Sequence, residues 1–211
     1  MATSPSALET ATGSTGQGAI AADEAGPLDW QEIRGSLRGD GEAFARLVRR
    51  YQQTMAAYLW RFSRDRGQCE ELVHDVFVEA YLGLRNFRGE APLLHWLRKI
   101  ATRVGYRYWR RRARQRAEAS ARIQEWDRAA RAEADVLDAA EAAAALHAVL
   151  ERMSARDRLV LTLMYLEGCS VAEIAELSGW SATMVKVQAH RARARLKKLL
   201  TAAEETAMSQ P

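Results

Sequence analysis

Two groups of side chains in this sequence have the types and spacing to hold a polyanion. The first is Trp96, Lys99, Arg103, Arg107, Arg110 and Arg114, positions that fall on one face of a helix. Between Arg98 and Ala117 there are nine basic residues and no acid. A solvated helix face intersperses both signs, so an unrelieved stripe repels itself until a polyanion neutralises it. Phosphates do this and release their condensed counterions. Trp96, at the head of the stripe, can serve either as core or as a stacking platform for an unpaired base. The second group lies in a segment without acids between Ser181 and Ala203. There Thr183, Lys186, Val187 and His190 stand opposite an apolar stripe, with Gln188 and Arg191 at its margins. Such a face suits the reading of base edges in the major groove.

Other chemistry finds no constellation. His74-Asp75 has the residue types of a metal site but stands alone on the polar face of an amphipathic helix, so surface polarity is the better reading. His95 and His147 have no visible partners, and neither a nucleophile–base pair nor a Gly-rich phosphate loop occurs. Cys69 and Cys169 are far apart and form no CxxC pair, which excludes a disulfide framework or zinc site and points to a reducing, cytoplasmic compartment. No catalytic activity, metal or cofactor is expected. No apolar run approaches the roughly 18 residues of a membrane span, and the first 27 residues lack the pattern of a signal peptide.

The elements that position these groups are helical. Phe44, Leu47, Val48, Tyr51, Met55, Tyr58, Leu59 and Phe62 recur with helical period, as do Leu72, Val73, Val76, Phe77, Ala80, Tyr81 and Leu84. Asn86 to Pro92 reads as a loop, with Gly89 supplying flexibility and Pro92 suited to a first turn. A third helix follows, with Leu93, Leu97, Ile100, Ala101, Val104 and Tyr108 inward. Near the C-terminus, Ser154-Ala-Arg-Asp157 and Ser170-Val-Ala-Glu173 are capping-box patterns, and Gly168 stops the first of these helices. Leu159, Val160, Leu163 and Met164 line one helix, and Val171, Ile174, Ala175 and Leu177 the next. After the turn Ser178-Gly179-Trp180, Ser181 caps a basic helix with Val185, Ala189, Ala192, Leu196 and Leu199 inward. Two helices joined by a Gly-containing turn, the second basic, form a helix-turn-helix.

Charge divides the chain. Residues 1–27 carry −3, 28–116 carry +9, 117–145 carry −4 and 146–211 carry +2. The expected organisation is an all-α chain of two small helical domains, 28–116 and 146–200, each able to bind a polyanion. A disordered tail at 1–27, a partly helical Ala-rich linker at 117–145 and a tail at 201–211 complete it.

With these elements in place, "CEELVHDVFVEAYLGLRNFRGEAPLLHWLRKIA" resembles regions 2.2 to 2.4 of the extracytoplasmic-function (group IV) bacterial sigma factors. "LERMSARDRLVLTLMYLEGCSVAEIAELSGWSATMVKVQAHRARARLKKL" is similar to their region 4. The two stand in the family's order and, with the helix from Asp40, take in residues 40–116 and 146–200. The resemblance implies a promoter-recognition factor for core RNA polymerase. The helix 69–84 would dock on the clamp helices of the largest subunit through Glu71, Asp75, Val78, Glu79 and Leu82, and region 4 on the flap of the second-largest. Asn86, Phe87 and Arg88 begin the loop that would hold a flipped base of the minus-ten element, and Trp96 stands where relatives use an aromatic in strand opening. Lys99, Arg103, Arg107 and Arg110 would follow that strand's phosphates. Thr183, Lys186, Val187, Gln188, His190 and Arg191 would read the minus-thirty-five element.

An anti-sigma factor is expected as a further partner, and insertion in a membrane is not. Two departures from the family pattern stand out. Arg103 and Arg107 replace common Asn and Asp residues, and Met184-Val185-Lys186-Val187-Gln188 replaces Thr-Val-Lys-Ser-Arg, so that a frequent base-reading Arg is Gln188. The rival reading is a helix-turn-helix regulator acting without polymerase, which has no use for a second basic module.

Overall fold

A computed structural model describes residues 26–123 and 146–208. The expected disordered tail up to residue 25, most of the expected linker (124–145) and residues 209–211 lie outside the described residues. The helices are α1 (Gly26–Leu37), α2 (Gly41–Leu59), α3 (Arg66–Gly83), α4 (Leu93–Ile123), α5 (Ala155–Leu161), α6 (Val171–Ser178) and α7 (Ala182–Met208). A 3₁₀ turn at Leu84–Asn86 follows α3, a π-helical turn at Thr162–Leu166 prolongs α5, and residues 146–151 are helical. No strand occurs among the described residues, and the fold is all-α.

α1 begins at Gly26, ahead of the expected edge at residue 28. Of its apolar residues only Ile33 is buried, so periodicity barely announces it. Polar anchors hold it instead. Asp29 is buried, accepts from the Tyr51 hydroxyl at 2.5 Å and pairs with Arg50, while Glu32 meets Arg46 at 2.8 Å. α2 starts where the Asp40 carboxylate accepts from the Glu42 and Ala43 amides, an N-cap that satisfies two orphan donors.

α2, α3 and α4 close around Met55, Leu59, Phe62, Val76 and Ile100. α4 can approach Phe62 closely because residue 105 is Gly: a Cβ there would stand 2.2 Å from the phenyl ring. Trp109 Nε1 donates to the Phe62 carbonyl at 2.7 Å, and the Tyr58 and Thr102 hydroxyls lie 2.7 Å apart, so the polar atoms of this crossing are paired. The inward residues anticipated for α4 are all buried. Tyr81, anticipated as inward on α3, is exposed and packs its edge on Phe44. α4 also runs on to Ile123, seven residues past the expected end of the first domain at 116.

α5, α6 and α7 form the helix-turn-helix unit over Leu159, Leu163, Ile174, Leu177 and Val185. The two halves are packed together. α4 runs against α5 and α6, and one apolar cluster joins buried residues of both halves, while Leu150, Met153, Leu161 and Ala192 form a second, smaller one. A long helix therefore serves as core for one half and as a docking rail for the other.

Candidate nucleic-acid interface

The basic stripe of α4 lies on one side of the helix, but its charges are less free than the bare sequence suggests. Arg103, Arg110 and Arg114 are exposed. Lys99 is half-buried and pairs with Glu176 of α6 at 2.8 Å, and Arg107 pairs with Glu79 of α3. The expectation of an uncompensated stripe is thus corrected: acids distant in sequence relieve two of its members. Arg110 stacks over the Tyr106 ring, 5.9 Å from its centroid, which steadies the guanidinium without neutralising it.

The loop ahead of α4 is built on aromatic rings. Phe87 lies 5.5 Å from Trp30 of α1 and 5.3 Å from Trp96 of α4, centroid to centroid. Trp96 is half-buried against Phe87 and Gly83, so it is partly core and partly open. Gly89 has φ +71, a conformation that side chains rarely adopt, and a Cβ there would lie 2.0 Å from the Trp30 ring. Its role is close packing as well as backbone freedom. Asn86 and Arg88 are exposed beside this aromatic line. Trp30 marks in the sequence where structure begins, but its place beside this loop was not foreseen because it precedes the first clear helical stripe.

On α7, Thr183, Lys186, Val187, His190 and Arg191 are exposed, and Val185, Ala189 and Ala192 are buried. Ser181 caps the helix by accepting from the Met184 amide at 3.2 Å. Gln188 behaves differently from its neighbours. It is half-buried, and its Nε2 donates to Asp157 Oδ1 at 2.5 Å. The expectation that Gln188 reads a base is not how its amide is used here.

A set of contacts between the halves was not foreseen. The Glu167 side chain is 7% exposed and pairs with Arg61 and, at 2.8 Å, with Arg98. Glu176 binds His95 at 3.0 Å as well as Lys99, and these donors hold its carboxyl below the usual range. Trp180 meets Tyr106 edge-on at 5.7 Å. The Arg158 guanidinium sits 4.1 Å from the centre of the Trp109 ring and 2.7 Å from His147 Nε2. Burial lowers Arg158 to about 10, and burial with the Arg158 charge pushes His147 down to about 4. Arg116 reaches Glu151 at 2.5 Å. The segment from Leu159 to Val185 holds Glu167, Glu173 and Glu176 and no Lys or Arg, and nothing in it says which cations of the other half these acids meet.

The α3 face that the resemblance assigns to polymerase presents Glu71, Asp75, Val78 and Leu82 to solvent. Leu82 is 72% exposed, with Val78 exposed one turn before it. Glu79 departs from the expectation of full exposure, being half-buried through its pairing with Arg107. Among the described residues no cluster of His, Cys, Asp and Glu could hold a metal ion. None of the described helices is long and apolar enough to cross a membrane.

Comparison with known proteins matches residues 47–115 to sigma-70 region 2 and residues 143–196 to sigma-70 region 4, together more than half of the chain. The chain is 29% identical over 160 residues to RNA polymerase sigma factor YlaC of Bacillus subtilis, spanning 75% of this chain and 92% of that one. It is 29% identical over 182 residues to the RNA polymerase sigma-H factor of Pseudomonas aeruginosa, spanning 82% and 93%. Among solved structures it resembles CnrH in complex with the cytosolic domain of CnrY, with TM-score 0.54 and 25% identity over 85% of this chain and 99% of that one. The sigma factor RpoE of Bartonella quintana, solved with the anti-sigma factor NepR, shares the fold at TM-score 0.51 and 24% identity, over 75% and 96%.

Proposed function

The chain belongs to the sigma-70 family as an extracytoplasmic-function member, and on that premise we propose that it brings core RNA polymerase to specific promoters and opens the DNA there. The observation that carries the reading is the presence, in family order, of two basic surfaces of different kind. One combines an exposed arginine stripe with an aromatic loop, suited to a single strand. The other is an exposed helix face suited to duplex.

In this division of labour Asn86, Phe87 and Arg88 receive a flipped base of the minus-ten element and Trp96 supports strand separation. Lys99, Arg103, Arg107 and Arg110 hold the strand's phosphates. Thr183, Lys186, Val187, His190 and Arg191 read the minus-thirty-five element. Gln188 drops out of that set because its amide is committed to Asp157. Glu71, Asp75, Val78, Glu79 and Leu82 dock on the clamp helices of the largest polymerase subunit, and residues 146–200 meet the flap of the second-largest. The two functional domains correspond to residues 28–116 and 146–200, with α4 extending beyond the first. The protein acts in the cytoplasm, where polymerase is. Family members work as initiation factors without a reaction of their own, and RpoE of Bartonella quintana, solved with the anti-sigma factor NepR, supports a partner of that kind.

Run-off transcription with core polymerase and a promoter library tests this reading. Transcripts that depend on the added chain and share upstream and downstream elements are expected. Sequence-specific duplex binding without any polymerase-dependent transcript would favour a free-standing helix-turn-helix regulator.

A further inference from the structure

Two Ser-x-x-acid sequences open α5 and α6, and they close differently. At α6, Ser170 Oγ accepts from the Glu173 amide at 3.2 Å and Glu173 Oε2 accepts from the Ser170 amide at 2.7 Å, a complete box. At α5, the Asp157 amide still donates to Ser154 Oγ at 3.2 Å, but the carboxylate has turned towards α7. Its Oδ1 accepts from Gln188 Nε2 at 2.5 Å. Its Oδ2 accepts from Arg195 Nη1 at 2.5 Å and from the Ser154 hydroxyl at 2.7 Å. Asp157 is 0% exposed. A carboxylate withdrawn from water in this way is tolerated only where donors surround it, and two of its three side-chain donors belong to α7.

Gln188 and Arg195 are two helical turns apart, about 10 Å along the axis. Val185, Ala189 and Ala192 seat α7 on the core, and two tethers on the same side add a restraint on its rotation about its own axis. Measured around the helix, Lys186 and His190 stand about 160° from Gln188. The buried carboxylate therefore grips the side of α7 opposite its outermost residues. Side-chain tips lie roughly 6 Å from a helix axis, so a rotation of about 20° moves them about 2 Å. A base-edge hydrogen bond spans 2.7–3.2 Å and does not survive that displacement.

We infer that Asp157 is a positioning residue for promoter reading, setting the rotation of α7 so that Lys186, Val187 and His190 face the base edges while Gln188 serves as a tether. The inference rests on the reading of α7 as a recognition helix. In this chain an Arg placed at position 188 would have the same carboxylate within reach.

The test uses the full chain with core polymerase and a library randomised at the upstream element. Gln188→Arg should select the same upstream sequence as the unaltered chain. Asp157→Asn, nearly isosteric and uncharged, should lower the ratio of best to worst upstream element at least tenfold. It should leave the affinity for scrambled duplex within twofold, because phosphate contacts ignore sequence. Asp157→Glu, which keeps the charge, should retain more discrimination than Asp157→Asn. A shift of Gln188→Arg towards guanine would show that residue 188 touches a base and would overturn the inference; so would full discrimination in Asp157→Asn. If Asp157→Asn does not fold, Arg195→Ala carries the test, since its guanidinium is largely exposed: a threefold or greater loss of discrimination supports the tether, and none overturns it. An unaltered chain that selects no upstream sequence overturns the recognition-helix reading together with the inference. Selection by the unaltered chain that all variants reproduce overturns the inference alone.

Discussion

Along α4, Lys99 and Arg107 lean on acids supplied by other helices, whereas Thr183, Lys186, Val187, His190 and Arg191 of α7 make no ion pair among the described residues. The one ion pair of α7 among the described residues, Arg195 with Asp157, ties it to α5. A surface that grips phosphates can share its cations with internal acids, because a phosphate contact needs charge and little geometry. A surface that reads base edges needs its tips free and its axis held. The two helices solve these demands in the same fold, and the difference can be broken at three places.

The largest effect is expected at Glu167, where α4 is clasped to the other half. Glu167→Lys would set a third cation between Arg61 and Arg98, in a place where the native side chain is 7% exposed. Losing one partner of a buried pair costs roughly 3 kcal/mol, and like charge adds to it. The two halves should separate, seen as a larger radius of gyration in solution scattering and a lower melting temperature. Unchanged scattering and melting would mean that the clasp does not hold the halves together.

A smaller effect separates the free from the paired cations of the stripe. Arg103→Ala with Arg110→Ala should flatten the salt dependence of strand binding by about 1.4 in logarithmic slope, since each single-strand phosphate contact contributes about 0.7. Lys99→Ala with Arg107→Ala should flatten it less, because each of these must first release an acid. Equal slopes in a salt titration of the two double variants would erase the distinction drawn between them.

The smallest effect concerns the seam where α4 ends. Folded His147 titrates near 4, below its ordinary 6.5, so the unfolded chain takes up the proton first as pH falls. The stability held by neutral His147 is fully present above pH 6.5 and is lost as pH falls towards 4. His147→Gln, which keeps an acceptor for Arg158, should show a flatter melting temperature across that window. An identical pH profile would place the acid sensitivity elsewhere.

Much of this arrangement was legible in the sequence, and the exceptions share a cause. The helical stripes, the exposed face of α7 and the cap at Ser181 follow from local spacing, which a sequence displays. Asp157 and Glu173 occupy the same place in the same Ser-x-x-acid pattern, yet only Glu173 completes its box. The diversion of Asp157 depends on donors 31 and 38 residues away, which no local pattern reveals. The partner of Gln188 was hidden for the same reason: helical geometry set it at the margin of a face, and a buried carboxylate 31 residues away meets its amide. Glu167 and Arg98 meet across 69 residues of chain, so the packing of the halves had no signature in either segment. α1 was understated because polar anchors rather than apolar period fasten it.

The contact between Trp30 and Gly89 makes α1 and the loop ahead of α4 a single mechanical part. The indole fills the space that a side chain at residue 89 would need, and it also abuts Phe87. Tilting α1 therefore drags the loop, and a push on Phe87 is passed back to α1. The lever has its fulcrum at the Asp29 anchor on Tyr51 and Arg50. A load applied to the chain at Gly26 thus reaches the loop ahead of α4 by way of Trp30.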